Sequence, residues 1–196
     1  ATMDVPHIAA NRVAIVRGER GAETVELALN LCGIEEMITK PVMIKVNFIT
    51  DKTWETGATT DPVVVDALVK YFKPRAERVV VVESDASTTN ADKAALKTGI
   101  LDLCRENHVE FINLSKVKDR VIVNVGSPET LSKVVLPKLV LDGYIVSAAK
   151  LKTHDQVGVT LGMKNMFGML PERAKFKYHF RNIQKVIVDI NSVIKP

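Results

Sequence analysis

One feature constrains this chain more than any other. Short runs rich in β-branched residues alternate with longer stretches in which apolar residues recur at helical spacing. Parallel neighbouring strands need a long crossover, usually a helix, so this alternation points to an α/β domain with a mainly parallel sheet. Strand-like runs fall at residues 12–17, 42–48, 79–82, 109–114, 121–125 and 143–148. A helical pattern around Val25, Leu29 and Cys32 stops at Gly33. A second helix starts sharply. Thr60 or Asp61 caps it, Pro62 takes the first position, Val64, Val65, Leu68, Val69 and Phe72 share a face, and Pro74 ends it. Further helices are expected over residues 91–106 and from Pro128-Glu129 to about Leu136, with 158–170 helical in part. The last carries Ile183, Val186, Ile187, Ile190, Val193 and Ile194 on one stripe. The fold expected is a single α/β domain over residues 1–196, with a mostly parallel or mixed sheet and helices on both faces.

Composition narrows the function. At 46% apolar and 26% charged residues, the chain can build a core and is neither disordered nor fibrous. It has no apolar run near the ~18 residues of a membrane span. Residues 1–10 lack the charged-then-apolar pattern of a signal peptide. A soluble, cytoplasmic protein without membrane contact is expected. The 27 basic residues outnumber the 23 acidic ones by four. That mild excess suits a small anionic ligand. A nucleic-acid-binding module is the weaker reading, because 5% aromatics is low for a base-stacking platform. Cys32 and Cys104 lie in separate helices without CxxC spacing. They exclude a disulfide framework, and an iron–sulfur cluster or Cys-rich zinc site held by this chain alone. His7 and His108 read as surface residues.

Ligands of open parallel sheets bind beyond the carboxyl ends of the strands, and several polar clusters lie at such ends. Lys45 and Asn47 close the second run. Thr59, Thr60 and Asp61 stand where the next helix begins, serving either as a plain cap or as part of an anion site. Glu83, Ser84 and Asp85 follow four consecutive valines, either as turn-formers or as site residues. Lys150, Lys152 and His154 alternate, which on an extended segment puts three basic or titratable groups on one face. Like charges that close call for a neutralising anion or carboxylate. Lys164 and Asn165 follow, then Lys175, Lys177 and His179. His154 and His179 with Asp85 or Glu83 are a conceivable metal set, but the spacing forms no tight ligand motif. The glycines from Gly158 to Gly168 fit neither a Walker loop nor a dinucleotide fingerprint.

Together these segments form a pattern. Ile44-Lys45-Val46-Asn47, Thr59-Thr60-Asp61-Pro62, Val82-Glu83-Ser84-Asp85, Ala149-Lys150-Leu151-Lys152-Thr153-His154, Gly158-Val159-Thr160 and Lys164-Asn165-Met166-Phe167-Gly168, with Leu170-Pro171, Lys175 and His179 after them, occur in order. They resemble the signature of the domain-of-unknown-function family 362 over roughly residues 40–180. Some members of that family carry a ferredoxin-like module, which gives the family its iron–sulfur association. With two scattered cysteines, this chain holds no such module. The resemblance also implies a further strand and an acidic, Gly-rich segment after the last helix. The chain stops at Lys195-Pro196, so it reads as a short member or as one lacking a C-terminal portion. An edge left bare in that way would favour a homo-oligomer, joined through the last helix or a neighbouring strand.

The function expected is binding of a small carboxylate or phosphate in a Lys- and His-lined cleft, with acid–base chemistry by His or Lys. Catalytic candidates are His154, Lys150 and Lys152. Ligand-binding candidates are Lys45, Asn47, Thr59, Thr60, Glu83, Ser84, Asp85, Lys164, Asn165 and His179. A metal-cofactor accessory or redox partner is the principal alternative. Substrate, reaction class and cofactor stay open.

Overall fold

The structure, a computed structural model, describes residues 12–34 and 37–196, so His7 lies outside the described residues. In chain order its elements are α1 (Ala22–Cys32), β1 (Val42–Lys45), α2 (Pro62–Phe72), β2 (Val79–Glu83), α3 (Ala91–Lys97), α4 (Ile100–Glu106), β3 (Glu110–Asn113), β4 (Arg120–Asn124), β5 (Lys133–Pro137), α5 (Lys138–Asp142), β6 (Tyr144–Ser147), β7 (Lys152–His154), β8 (Gly158–Thr160), α6 (Gly162–Met166) and α7 (Ile183–Val193). Four strands form a fully parallel sheet in the order β3-β2-β1-β6. The chain runs outward from β1 through β2 to β3, then returns to the other side of β1 as β6. That reversal opens a crevice at the carboxyl ends of β1 and β6. Two antiparallel hairpins, β4–β5 and β7–β8, complete the strands.

The period of two along each strand divides the core. Val42, Ile44, Val79 and Val81 pack with Val65, Leu68, Val69 and Phe72 of α2 and Ile100 of α4. Met43, Val80, Val82 and Ile145 pack with Leu136 of β5, Met166 of α6 and Ile183, Val186 and Ile190 of α7. With both faces covered, every residue of β1 and β2 is buried, as expected of an interior parallel sheet. The helix start at Pro62 is as the sequence indicates: the Asp61 side chain accepts from the Val63 amide at 3.0 Å. Cys104 sits in the core, where burial pushes its thiol up to about 11. Among the described residues no helix is long and apolar enough to cross a membrane.

Three local expectations are corrected. Residues 12–17 form no strand, and Val13 and Ile15 are 81% and 92% exposed. β-branched composition suits a segment to a ladder, but a strand exists only with a partner, and none of the described strands pairs with this segment. The helix over 91–106 is two helices, broken where Gly99 adopts φ +78°. The helix expected from Pro128 is instead a loop leading into β5. There Val134 and Leu136 point inward and Lys133 and Val135 outward, opposite β4.

Asp189 explains that last difference. It lies in the apolar stripe of α7, 1% exposed. Its carboxylate accepts from the amides of Glu129, Thr130 and Leu131 at 2.7, 2.8 and 2.7 Å. These N–H groups would have begun a helix; a distant carboxylate takes them instead. The apolar residues Ile183, Val186, Ile187 and Ile190 of α7 are buried within the chain. Replacing Asp189 with Ala strands three amides and is expected to lower the free energy of unfolding by about 3 kcal/mol in urea denaturation. A loss below about 0.5 kcal/mol would mean that the loop is held by other contacts.

Candidate functional site

The carboxyl ends of β1 and β2 meet in one buried ion pair. Lys45 Nζ lies 2.7 Å from Glu83 Oε1, with side chains 1% and 4% exposed. An ammonium and a carboxylate removed from water persist only when their remaining donors and acceptors are matched. Lys45 also donates to the Val46 carbonyl (2.5 Å) and to Asn165 Oδ1 (3.2 Å). Glu83 also accepts from the amides of Phe48 and Ser84, each at 2.9 Å. All three ammonium donors are thereby matched. Desolvation pulls the Lys45 pKa down, and the charge of Glu83 opposes that shift. Asn165 returns its amide N–H groups to the Lys45 carbonyl and Ser147 Oγ, both at 3.1 Å, and so ties α6 to β1 and β6. Gly168 is required here for space. A Cβ on it would lie 2.6 Å from Lys45 Nζ and 2.8 Å from Glu83 Oε1.

Above this pair lies a cleft of about 520 Å³. Of the residues expected at a site, Lys45, Asn47, Glu83, Ser84, Lys152, His154, Lys164, Asn165 and His179 line it. They arrive from five places: the ends of β1 and β2, the β7–β8 hairpin, α6, and the 3₁₀ turn Lys175–Arg181. Phe167 and Lys175, the latter one of the basic residues the sequence groups with His179, line it as well. The signal for Lys175 was its place one helical turn before His179, alongside which it occurs in the family pattern.

Four expected residues do not line the cleft. Thr60 Oγ1 accepts from the Asn47 amide at 2.8 Å and donates to the Ala148 carbonyl at 2.7 Å, fastening the ends of β1 and β6. Thr59 donates to the Lys52 carbonyl at 3.1 Å. Asp85 accepts from Asn90, Ala91 and Asn113, which makes it the anchor of the α3 start. Lys150 precedes β7, so the alternation of residues 150, 152 and 154 does not extend along one strand. It reaches the site through its charge, which helps depress Lys152.

The cleft is cationic. Burial holds Lys152, Lys164 and Lys175 at about 8 each, against the partly offsetting charge of Glu83. Three of the lining lysines are anchored. Lys45 pairs with Glu83. Lys152 donates to Asn47 Oδ1 at 2.7 Å and to the Ala58 carbonyl. Lys175 donates to Ser84 Oγ at 2.5 Å and the Asp85 carbonyl at 2.7 Å. Lys164 differs. Among the described residues its ammonium has no hydrogen-bond or ion-pair partner, and it stands 4.3 Å from the centre of the Phe167 ring.

Two imidazoles complete the wall. The rings of His154 and His179 lie near-parallel at 6.1 Å, and Phe167 meets His179 edge-on. Burial and then the Lys164 charge lower the pKa of both, which keeps them neutral near pH 7. His179 Nδ1 faces Gln156 Oε1 at 2.5 Å. Donation to that oxygen leaves Nε2 as a free base. His154 Nδ1 accepts from the Gln156 amide at 3.2 Å when neutral, and pairs with Asp155 at 2.9 Å when protonated. Among the described residues, no group of three His, Cys, Asp or Glu side chains is placed to hold a metal ion. Asp85 and Glu83, the expected third members, are committed to α3 and to Lys45.

Removing one member of the buried pair leaves the other charged and uncompensated. Glu83→Gln and Lys45→Met are each expected to cost about 3–5 kcal/mol, and the double variant clearly less than their sum. A double-mutant cycle in urea measures this; strict additivity would mean that the two groups are not coupled.

No curated protein and no solved structure matches the chain. A family model does, from residue 42 to residue 196, and that span includes every residue of the cleft. It is the model described as Domain of unknown function (DUF362), and the chain belongs to that family.

Proposed function

We infer that the cleft binds a small carboxylate or phosphate and that its imidazoles move a proton on the bound molecule. The observation that carries this reading is Lys164, a cation facing the cleft with no partner among the described residues. Its cationic neighbours Lys152 and Lys175 each use two of three donors on the protein, so each keeps one N–H for a ligand. Glu83, and Asp155 beside Lys164, offset these charges only in part, so like charges around one concavity raise each other's free energy and an anion relieves that cost. The neutral imidazoles of His154 and His179 supply bases on one wall, and the imidazolium formed when either takes a proton can return it as an acid. The switch point of the sheet is where such a ligand is expected.

Isothermal titration with inorganic phosphate and with oxalate tests the reading. Lys164→Met is expected to weaken binding about ten- to a hundredfold, the worth of one charge-assisted hydrogen bond. Absence of millimolar binding of either anion to the wild-type protein would overturn it.

The pH dependence has a definite sign. Lys152, Lys164 and Lys175 carry charge below about 8 and lose it above. Anion affinity should therefore fall as pH rises from 7 to 9. Without anion, the unfolded chain binds more protons than the native one between about pH 8 and the ordinary lysine value, so stability rises across that window. Thermal melts with and without phosphate should converge as pH rises; parallel curves would contradict the assignment.

A further inference from the structure

We propose that Lys164 is a nucleophile whose amine condenses with the keto group of a 2-oxo acid, held by its carboxylate in the cleft, to form a Schiff base. This rests on the anion-binding reading and names its substrate class.

Among the described residues four lysines line the cavity, and the protein holds the amines of three of them. Lys45 lies in the floor beside Glu83 with every donor matched. Lys152 and Lys175 are each fixed by two acceptors, which hold the nitrogen in place and occupy the N–H groups that condensation would have to remove. Lys164 has no acceptor among the described residues, lines the cleft, and rests against an aromatic face instead of a carboxylate. A lysine becomes nucleophilic when an apolar wall and nearby cations favour its neutral form. Burial and the Lys45 charge are the two influences that lower it, to about 8. About a tenth of the amine is then neutral at pH 7.

Anchored and free amines divide the work. The remaining N–H groups of Lys152 and Lys175 suit a carboxylate. The free Nζ of Lys164 suits the adjacent electrophilic carbon. A phosphate offers the first group and lacks the second; a 2-oxo acid offers both.

The step balances within the site. The Nζ lone pair forms the C–N bond, and the carbonyl π pair moves to oxygen, which takes a proton. The nitrogen releases protons as the C–OH bond breaks and water leaves. Amine and ketone thus become imine and water, with no change of oxidation state. The neutral Nε2 of His179 can accept a proton from nitrogen and deliver it to the departing oxygen.

The experiment incubates the protein with pyruvate and sodium cyanoborohydride, then maps adducts by peptide mass spectrometry. Reduced adduct should accumulate at Lys164 about tenfold over exposed lysines such as Lys177, and disappear in Lys164→Arg, which keeps the charge and is a poor nucleophile. Oxalate, which has no ketone carbon, is titrated in parallel. Oxalate binding without an adduct at Lys164, or with adduct spread evenly over surface lysines, overturns this inference and leaves the anion reading standing. Failure of both overturns both. Because the wild-type labelling pattern is itself decisive, the outcome does not depend on the variant's folding.

Discussion

The buried contact between Lys45 and Glu83 is the constraint around which the rest of the site is arranged. Two full charges lie under a few per cent of exposure, where unmatched groups would cost several kcal/mol each. Every nearby feature answers that cost. The amides of Phe48 and Ser84 turn toward the carboxylate, the Val46 carbonyl and Asn165 turn toward the ammonium, and Gly168 gives up a side chain to let the turn after α6 pass. The pair therefore dictates how β1, β2 and α6 meet. It also forms a floor of no net charge, on which a ring of further lysines can stand.

Those lysines show how one residue type takes several roles. Lys152 and Lys175 act as struts, each bonded to a side chain and a backbone carbonyl of loops at strand ends. Lys164 is neither strut nor ion-pair partner among the described residues. Such a cation in a cleft is costly for the fold, and the anion proposed above would offset that cost.

The places where sequence and structure part have physical causes. Pro128-Glu129 has the chemistry of a helix start, but Asp189, sixty residues away, takes the amides that would have opened it. Residues 12–17 have strand composition, and composition cannot supply a neighbouring ladder. Asp85 and Thr60 stand at strand and helix ends, where ligand contacts are expected, but Asp85 accepts from the Ala91 amide and two asparagine side chains, Thr60 bonds the Asn47 amide and Ala148 carbonyl, and both shape the walls without facing the cleft.

What the sequence determined by itself was local and periodic. The alternation of strand and helix from β1 to β3, the Pro62 helix start, the Gly33 stop and the apolar stripe of α7 follow from spacing within a few turns of chain. The polar clusters at strand ends were also legible, because an open parallel sheet sends its carboxyl ends to one edge. Only the tertiary structure decided which members of those clusters meet. The partner of Lys45 is thirty-eight residues away, and the bonds that fix Lys152 and Lys175 span 105 and 91 residues. Hydrogen-bond matching across such separations depends on how the layers pack, and that is what leaves Lys164 the unpartnered cation among the described residues of the cleft.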